Sequence, residues 1–327
     1  MSSIVPPITI SAVIPTYNRR KYVVRAIDSV ISQQSPPNEI IVIDDGSTDG
    51  TAELLHSTFG NSLKIIYQEN AGVSAARRRG IVAASGEWIA FLDSDDEWTS
   101  GRLDVFRQAI SQTKAELAWI FGDTQIIQDD DTGDSLFALY DLDLIGYPTI
   151  FDNPLRTQFP FQFSILQSSL IKRSLLIELG AFLEDLRSSE DFLISFRAAL
   201  RGTFGAVPQV VTRLYRTSEL AESSLDRVGK GSSDYFRARV IAFDEAAARY
   251  GDPWRRLHEE AVRGLCWALA EEGRMARALS LQQFRHGISA KAIAFSLVSL
   301  FLGTQLLRTS RRLKHRLTRK ERNQRTI

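Results

Sequence analysis

Two hydrophobic periodicities alternate along the first hundred residues, and that alternation limits what this chain can fold into more than any other feature. Residues 8–14 (ITISAVI) form a short, β-branched apolar run, the pattern of a strand buried on both faces. Residues 21–34 then place Val23, Val24, Ile27, Val30 and Ile31 at helical spacing and stop at Pro36-Pro37. The exchange repeats: strand over 39–43, helix over 50–59, strand over 63–67, helix over 73–84, strand over 87–92 and helix over 102–114. Parallel strands need long crossovers, which helices supply, so the pattern predicts an α/β fold: a mainly parallel sheet flanked by helices. Ligands of such sheets gather at the carboxyl ends of the strands.

Beyond Ala115 the pattern loosens. Residues 117–128 read as strand, the acidic stretch 129–134 as a solvated hairpin turn, 174–179 and 191–200 as helices closed by Gly180 and Gly202, and 207–215 as a last strand. From 235 to 284 the text is rich in Ala, Arg and Leu and reads as a helical appendage. Three regions result: 8–216, 217–287 and 288–327. The last combines 16 residues without a charge, 292–307, with a run from 308 to 325 that holds nine Lys or Arg against one acid. That segment is short of the ~20 residues a membrane-spanning helix needs. The chain's net charge is +1, so a tail of +8 leaves −7 on the rest. Cys266 is the only cysteine, which excludes an intrachain disulfide and a thiolate zinc cluster. No secretion-signal layout opens the chain, and a cytoplasmic location is expected.

Four polar clusters fall at expected strand or helix ends: Pro15-Thr16-Tyr17-Asn18, the stretch 44–51 (DDGSTDGT), Asp93-Ser94-Asp95-Asp96, and Glu190-Asp191. Neighbouring carboxylates repel and raise one another's pKa, so several at one sheet edge imply a bound cation. With no His or Cys close by, a hard ion fits, Mg²⁺ or Mn²⁺. Such an ion completes its shell with water and phosphate oxygens, which makes a nucleotide diphosphate its natural companion. Ser47 or Thr48 is expected to cap the helix that follows. The search for G-x-G-x-x-G, Walker, G-x-S-x-G and HExxH patterns is negative. An EF-hand starting at Asp45 fails because its twelfth position is His56.

PTYN, DDGSTDGT, the 70–77 stretch (NAGVSAAR), FLDSDD and SSEDF occur in this order. Together they resemble the family 2 glycosyltransferases, inverting enzymes of the GT-A fold that use nucleotide-diphosphate sugars, over residues 8–216. The resemblance implies that Pro15 and Tyr17 line the nucleotide site, Tyr17 stacking on the base. By the same likeness Asp45 accepts a hydrogen bond from the base, and Arg77 lies near base and phosphates. Asp93, Ser94 and Asp95 form the DXD element: Asp95 holds the metal, Asp93 serves ribose or metal, and Ser94 lies beside the donor. Asp191 is then the general base.

The implied donor is UDP- or dTDP-linked and the acceptor a glycan or a lipid-linked hydroxyl, in polysaccharide biosynthesis. A catalytically silent nucleotide-sugar-binding or scaffold subunit is the alternative. Residues 282–286 (QQFRH) superficially match the QxxRW signature of processive synthases but lack its Trp, so transfer of one sugar is expected. Residues 292–325 either pack on the body or lie on an anionic membrane surface at the cytosolic face. The basic run has no interleaved aromatics, and no nucleic-acid partner is expected.

Overall fold

The computed structural model describes residues 7–271 apart from 129–130, 143, 156–164, 181, 184–185, 187, 217–231 and 253. The apolar segment 292–307, the basic run 308–325 and residues 282–286 therefore lie outside the described residues. The chain divides into two compact units, Met1–Val228 and Gly229–Ile327.

The first unit opens with the expected alternation: β1 (Ile10–Thr16), α1 (Val23–Ile31), β2 (Glu39–Asp44), α2 (Thr51–Phe59), β3 (Lys64–Tyr67), α3 (Val73–Ala83) and β4 (Trp88–Phe91). A two-residue strand β5 (Glu97–Trp98) and helix α4 (Arg102–Gln112) follow. All seven residues of β1 are buried, as a strand covered on both faces must be. Helix α1 turns Val23, Ala26, Ile27 and Val30 into the core, an i, i+3, i+4, i+7 face.

The second half brings β6 (Leu117–Gln128), β7 (Asp131–Ser135), the single turn α5 (Leu136–Leu139), β8 (Thr149–Phe151), β9 (Ser169–Lys172), α6 (Arg173–Glu178), α7 (Glu190–Ala199) and β10 (Thr203–Tyr215). The sheet runs β3-β2-β1-β4-β9-β6-β10-β5, with β7 on β6 and β8 on β10. It is parallel over β3-β2-β1-β4. From there it becomes mixed, because β9 enters antiparallel to both β4 and β6. Strand β10 begins four residues before the expected 207, since Phe204–Ala206 pair with β6 and with β8. Pro208, which can donate no ladder bond, falls where the β6–β10 register shifts, between Ala206 and Val210.

The core is rich in aromatics: Trp88, Phe91, Phe106, Trp119, Phe121 and Phe204 are all fully buried. Trp119 stacks on Phe204 at 5.3 Å and satisfies its indole N–H on Ser169 Oγ at 2.8 Å.

In the second unit α8 (Ser233–Tyr250) and α9 (Trp254–Glu271) form an antiparallel-type hairpin across a turn at Gly251. Ser232 caps α8 through Tyr235 N. Ala238, Ala242, Phe243 and Ala246 of α8 and Ala261, Val262 and Leu265 of α9 are buried, and the Phe243 and Trp254 rings stand 6.0 Å apart. Among the described residues no helix is long and apolar enough to cross a membrane.

Candidate active site

The parallel strands deliver their polar ends to one edge. Thr16 is in register with Asp44, and the ladder continues as Asp45 N donates to Thr16 O at 2.9 Å and Leu92 N to Val13 O at 3.1 Å. Pro15 is buried in β1 opposite Ile43, while Tyr17, directly beyond the strand, is 45% exposed. The loops after β1 and β2 are stitched together: Asn18 N donates to Ser47 Oγ (2.9 Å), and Thr48 N to Asn18 Oδ1 (2.8 Å). This corrects the expected cap. The Ser47 hydroxyl is spent on Asn18, no side-chain cap bond serves Gly50 at the start of α2, and Asp49 Oδ1 accepts from Thr51 N instead. Gly46 has φ +79°, and a Cβ there would stand 2.9 Å from Asn70 N, so only glycine fits against the loop that follows β3.

Asp45 is buried, and its carboxylate is already engaged. Gln68 Nε2 (2.6 Å) and Ala71 N (2.9 Å) donate to Oδ1, and Gly72 N (2.8 Å) donates to Oδ2. Three of roughly four acceptor sites are filled, leaving one on Oδ2. The effect is to fasten the start of α3, the helix that carries Arg77.

Arg77 is only 3% exposed and bridges two acids. Its Nη2 lies 2.8 Å from Asp93 Oδ1, after β4, and its Nη1 2.7 Å from Glu190 Oε1, at the start of α7. Burial works against its charge, but Asp93 and Glu190 outweigh that and hold the guanidinium above its ordinary range. Asp93 has its second oxygen, Oδ2, on the Gln167 amide. Burial raises its pKa, yet Arg77 and Gln167 prevail, and the carboxyl is held below its ordinary value. Asp191 follows Glu190, its Oδ1 accepting from Phe192 N at 2.6 Å. Its carboxyl is pushed up, first by burial and also by the nearby charge of Asp93.

Asp95 is held twice: Arg19 Nε lies 3.0 Å from Oδ2, and Arg25 Nη2 donates to its backbone oxygen at 2.7 Å. Burial and the Asp93 charge push its pKa up. Ser94 is buried between the two acids. Asp96 serves the fold: fully buried, it accepts from Tyr215 N at 2.9 Å and ties the end of β10 to the turn after β4.

The structure thus brings Arg77, Asp93, Asp95 and Asp191 into one electrostatic group, with Pro15, Tyr17 and Asp45 along the same edge. Glu190, Gln167 and Arg19 belong to this group and carry no assigned role in the sequence reading. Glu190 stands out in the sequence only as the neighbour of Asp191. Gln167 gives no signal, because it stands in an aperiodic stretch.

The family model for glycosyl transferase family 2 matches residues 11–180, just over half of the chain. This chain belongs to glycosyl transferase family 2. The succinoglycan biosynthesis protein ExoO of Rhizobium meliloti is 31% identical over 250 residues, 75% of this chain and 69% of that protein. The putative teichuronic acid biosynthesis glycosyltransferase TuaG of Bacillus subtilis is 38% identical over 98 residues, 29% of this chain; the match spans 39% of TuaG's length. Among solved structures, S. aureus TarS 1–349 in complex with UDP-GlcNAc superposes with a TM-score of 0.59 over 80% of this chain and 71% of that one, at 20% identity. The fold is the GT-A arrangement.

The donor set of this family 2 glycosyltransferase suits a hard cation sparingly held. Among the described residues no three His, Cys, Asp or Glu side chains gather as metal ligands. Both Asp93 oxygens have partners. On Asp95, Arg19 takes Oδ2, and among the described residues nothing donates to Oδ1. One protein oxygen, with phosphate and water completing the shell, is a coordination pattern usual for Mg²⁺.

Proposed function

We propose that this family 2 glycosyltransferase is a hexosyltransferase that moves one sugar from a UDP- or dTDP-linked donor to an acceptor hydroxyl with inversion. The observation that carries the reading is the Asp93–Arg77–Glu190 bridge, which joins the strand-end acids to the start of α7 where Asp191 stands. The fold shared with TarS, a protein solved with UDP-GlcNAc, supports a nucleotide-sugar donor.

In this reading the exposed ring of Tyr17 carries the base, and the remaining acceptor site on Asp45 receives a base N–H. Asp93, held at both oxygens, meets ribose or metal beside Ser94. Asp95 would hold Mg²⁺ or Mn²⁺ through Oδ1, and the ion would supply charge neutralisation on the departing diphosphate. Asp191 takes the proton of the acceptor hydroxyl as that oxygen attacks the anomeric carbon on the face opposite the diphosphate, and one displacement inverts the centre. A base so placed contributes ~10²–10⁴-fold. A raised carboxyl pKa suits that work, because a stronger base draws the proton more readily.

The acceptor is a glycan or a lipid-linked hydroxyl, and residues 292–325 hold the protein at an anionic cytosolic membrane face. Asp191→Asn tests the core of the proposal. UDP should bind it as in wild type, by calorimetry, while transfer falls by ~10²-fold or more. Undiminished turnover would remove Asp191 as the base, and a wild type that binds donor without transferring or hydrolysing it would favour the silent subunit.

A further inference from the structure

Arg102 carries a fully buried guanidinium. It opens α4, is 0% exposed, and among the described residues no carboxylate pairs with it. Its Nη1 donates to Gln167 O and Thr212 Oγ1, and its Nη2 to Ser169 O at 3.0 Å. The Trp98 ring lies 4.4 Å from its Cζ, and Phe106 lies 5.4 Å away. Burial pushes the guanidinium well below its ordinary pKa. A buried charge without a counter-charge is costly, so where its hydrogen bonds go is informative.

Of its acceptors, the Gln167 carbonyl lies within the short 3₁₀ turn Leu166–Ser168, and that of Ser169 directly after it, where β9 begins. Gln167 O is held a second time, by the Thr212 hydroxyl of β10 at 2.8 Å. With its backbone pinned from two elements, Gln167 extends its amide to Asp93 Oδ2. Asp93 Oδ1 is on Arg77, and Arg77 is on Glu190. One continuous set of bonds therefore runs from the core charge through this turn to the reacting edge.

We propose that Gln167 is a positioning residue of the active site, with Arg102 as its buried anchor: the amide stops the Asp93 carboxylate from rotating and presents it in one orientation to the donor. The inference rests on the nucleotide-donor reading. With Arg77 on one oxygen and Gln167 on the other, Asp93 has no free torsion. Remove the amide and Asp93 is held on one side only, so nucleotide binding must again supply the ordering that the turn had already provided.

The experiment is calorimetric titration of UDP with MnCl₂ into the full chain, beside thermal melts. Gln167→Leu should weaken UDP about tenfold, since nucleotide binding must then order Asp93, and should lower the melting temperature by only about 2–6 °C for the one lost hydrogen bond. The isosteric Gln167→Glu should weaken it further, because a carboxylate would then oppose Asp93. Arg102→Met should weaken UDP as well, and adding Gln167→Leu to it should cost little more, since both act through one contact. If wild type binds UDP and both Gln167 variants bind it equally well, the turn is merely structural and the inference is overturned, the transferase reading surviving. If wild type takes no UDP, the donor reading itself is lost and this inference goes with it.

Discussion

Ionising the Asp191 carboxylate is costly where it stands. Burial resists the charge and Asp93 repels it, while the Phe192 N–H and Arg77 relieve only part of the strain. A base must be ionised to act, so transfer at saturating donor should rise with pH through a value above 3.8, the ordinary one for aspartate. Below that value the proton stays on Asp191 and the rate falls. A pH profile whose acidic limb lies at or under the ordinary value would exclude Asp191 from the proton transfer. The neighbouring residues show how far single positions could be read. Asp93, Asp95 and Asp191 were legible because strand ends and a helix start are where such acids collect. The two-sided ion pair of Arg77 was not, since one partner, Glu190, lies 113 positions away in the chain. Asp45 was read for its ligand and proves to fasten α3 as well, through backbone N–H groups that no side-chain pattern advertises.

At the level of elements, α3 shows how packing places chemistry. Its inward side is small, with Ser74, Ala76 and Gly80 buried beside Arg77 and Ile81. A Cβ on Gly80 would overlap Val13 Cγ1 in β1, so the helix lies against the strand at a distance only glycine permits. Gly80→Ala should therefore destabilise the protein by ~1–3 kcal/mol despite its better helix propensity, read as a lower midpoint in urea. A neutral or higher midpoint would show that Val13 yields. The strands and helices from β1 to β4, and α4, were legible to within a few residues because each stands in a regular strand–helix alternation whose neighbours mark its ends. The strands β5, β8 and β9 and the turn α5 run to only two to four residues. They stand outside that alternation, and for the strands tertiary pairing decides. The early start of β10 has the same cause, as β8 recruits Phe204–Ala206 from outside.

For the whole molecule, charge is the organising asymmetry: −7 over the body and +8 over residues 308–325. Juxtamembrane basic residues gain ~1 kcal/mol each near an anionic surface, so the full chain should sediment with phosphatidylserine-containing vesicles. It should do so less at high salt, and a chain ending at residue 287 should remain in the supernatant. Equal sedimentation of the two would exclude the tail as the attachment site. The family model matches 11–180 and so ends before α7 and Asp191, while the similarity to ExoO runs over 250 residues. Arg77 joins the matched stretch to that of α7 through a single guanidinium, one hand on Asp93 and the other on Glu190. Neither stretch can therefore shift without the other: losing the acid at either end would strand half of a buried positive charge and loosen both arms of the edge together.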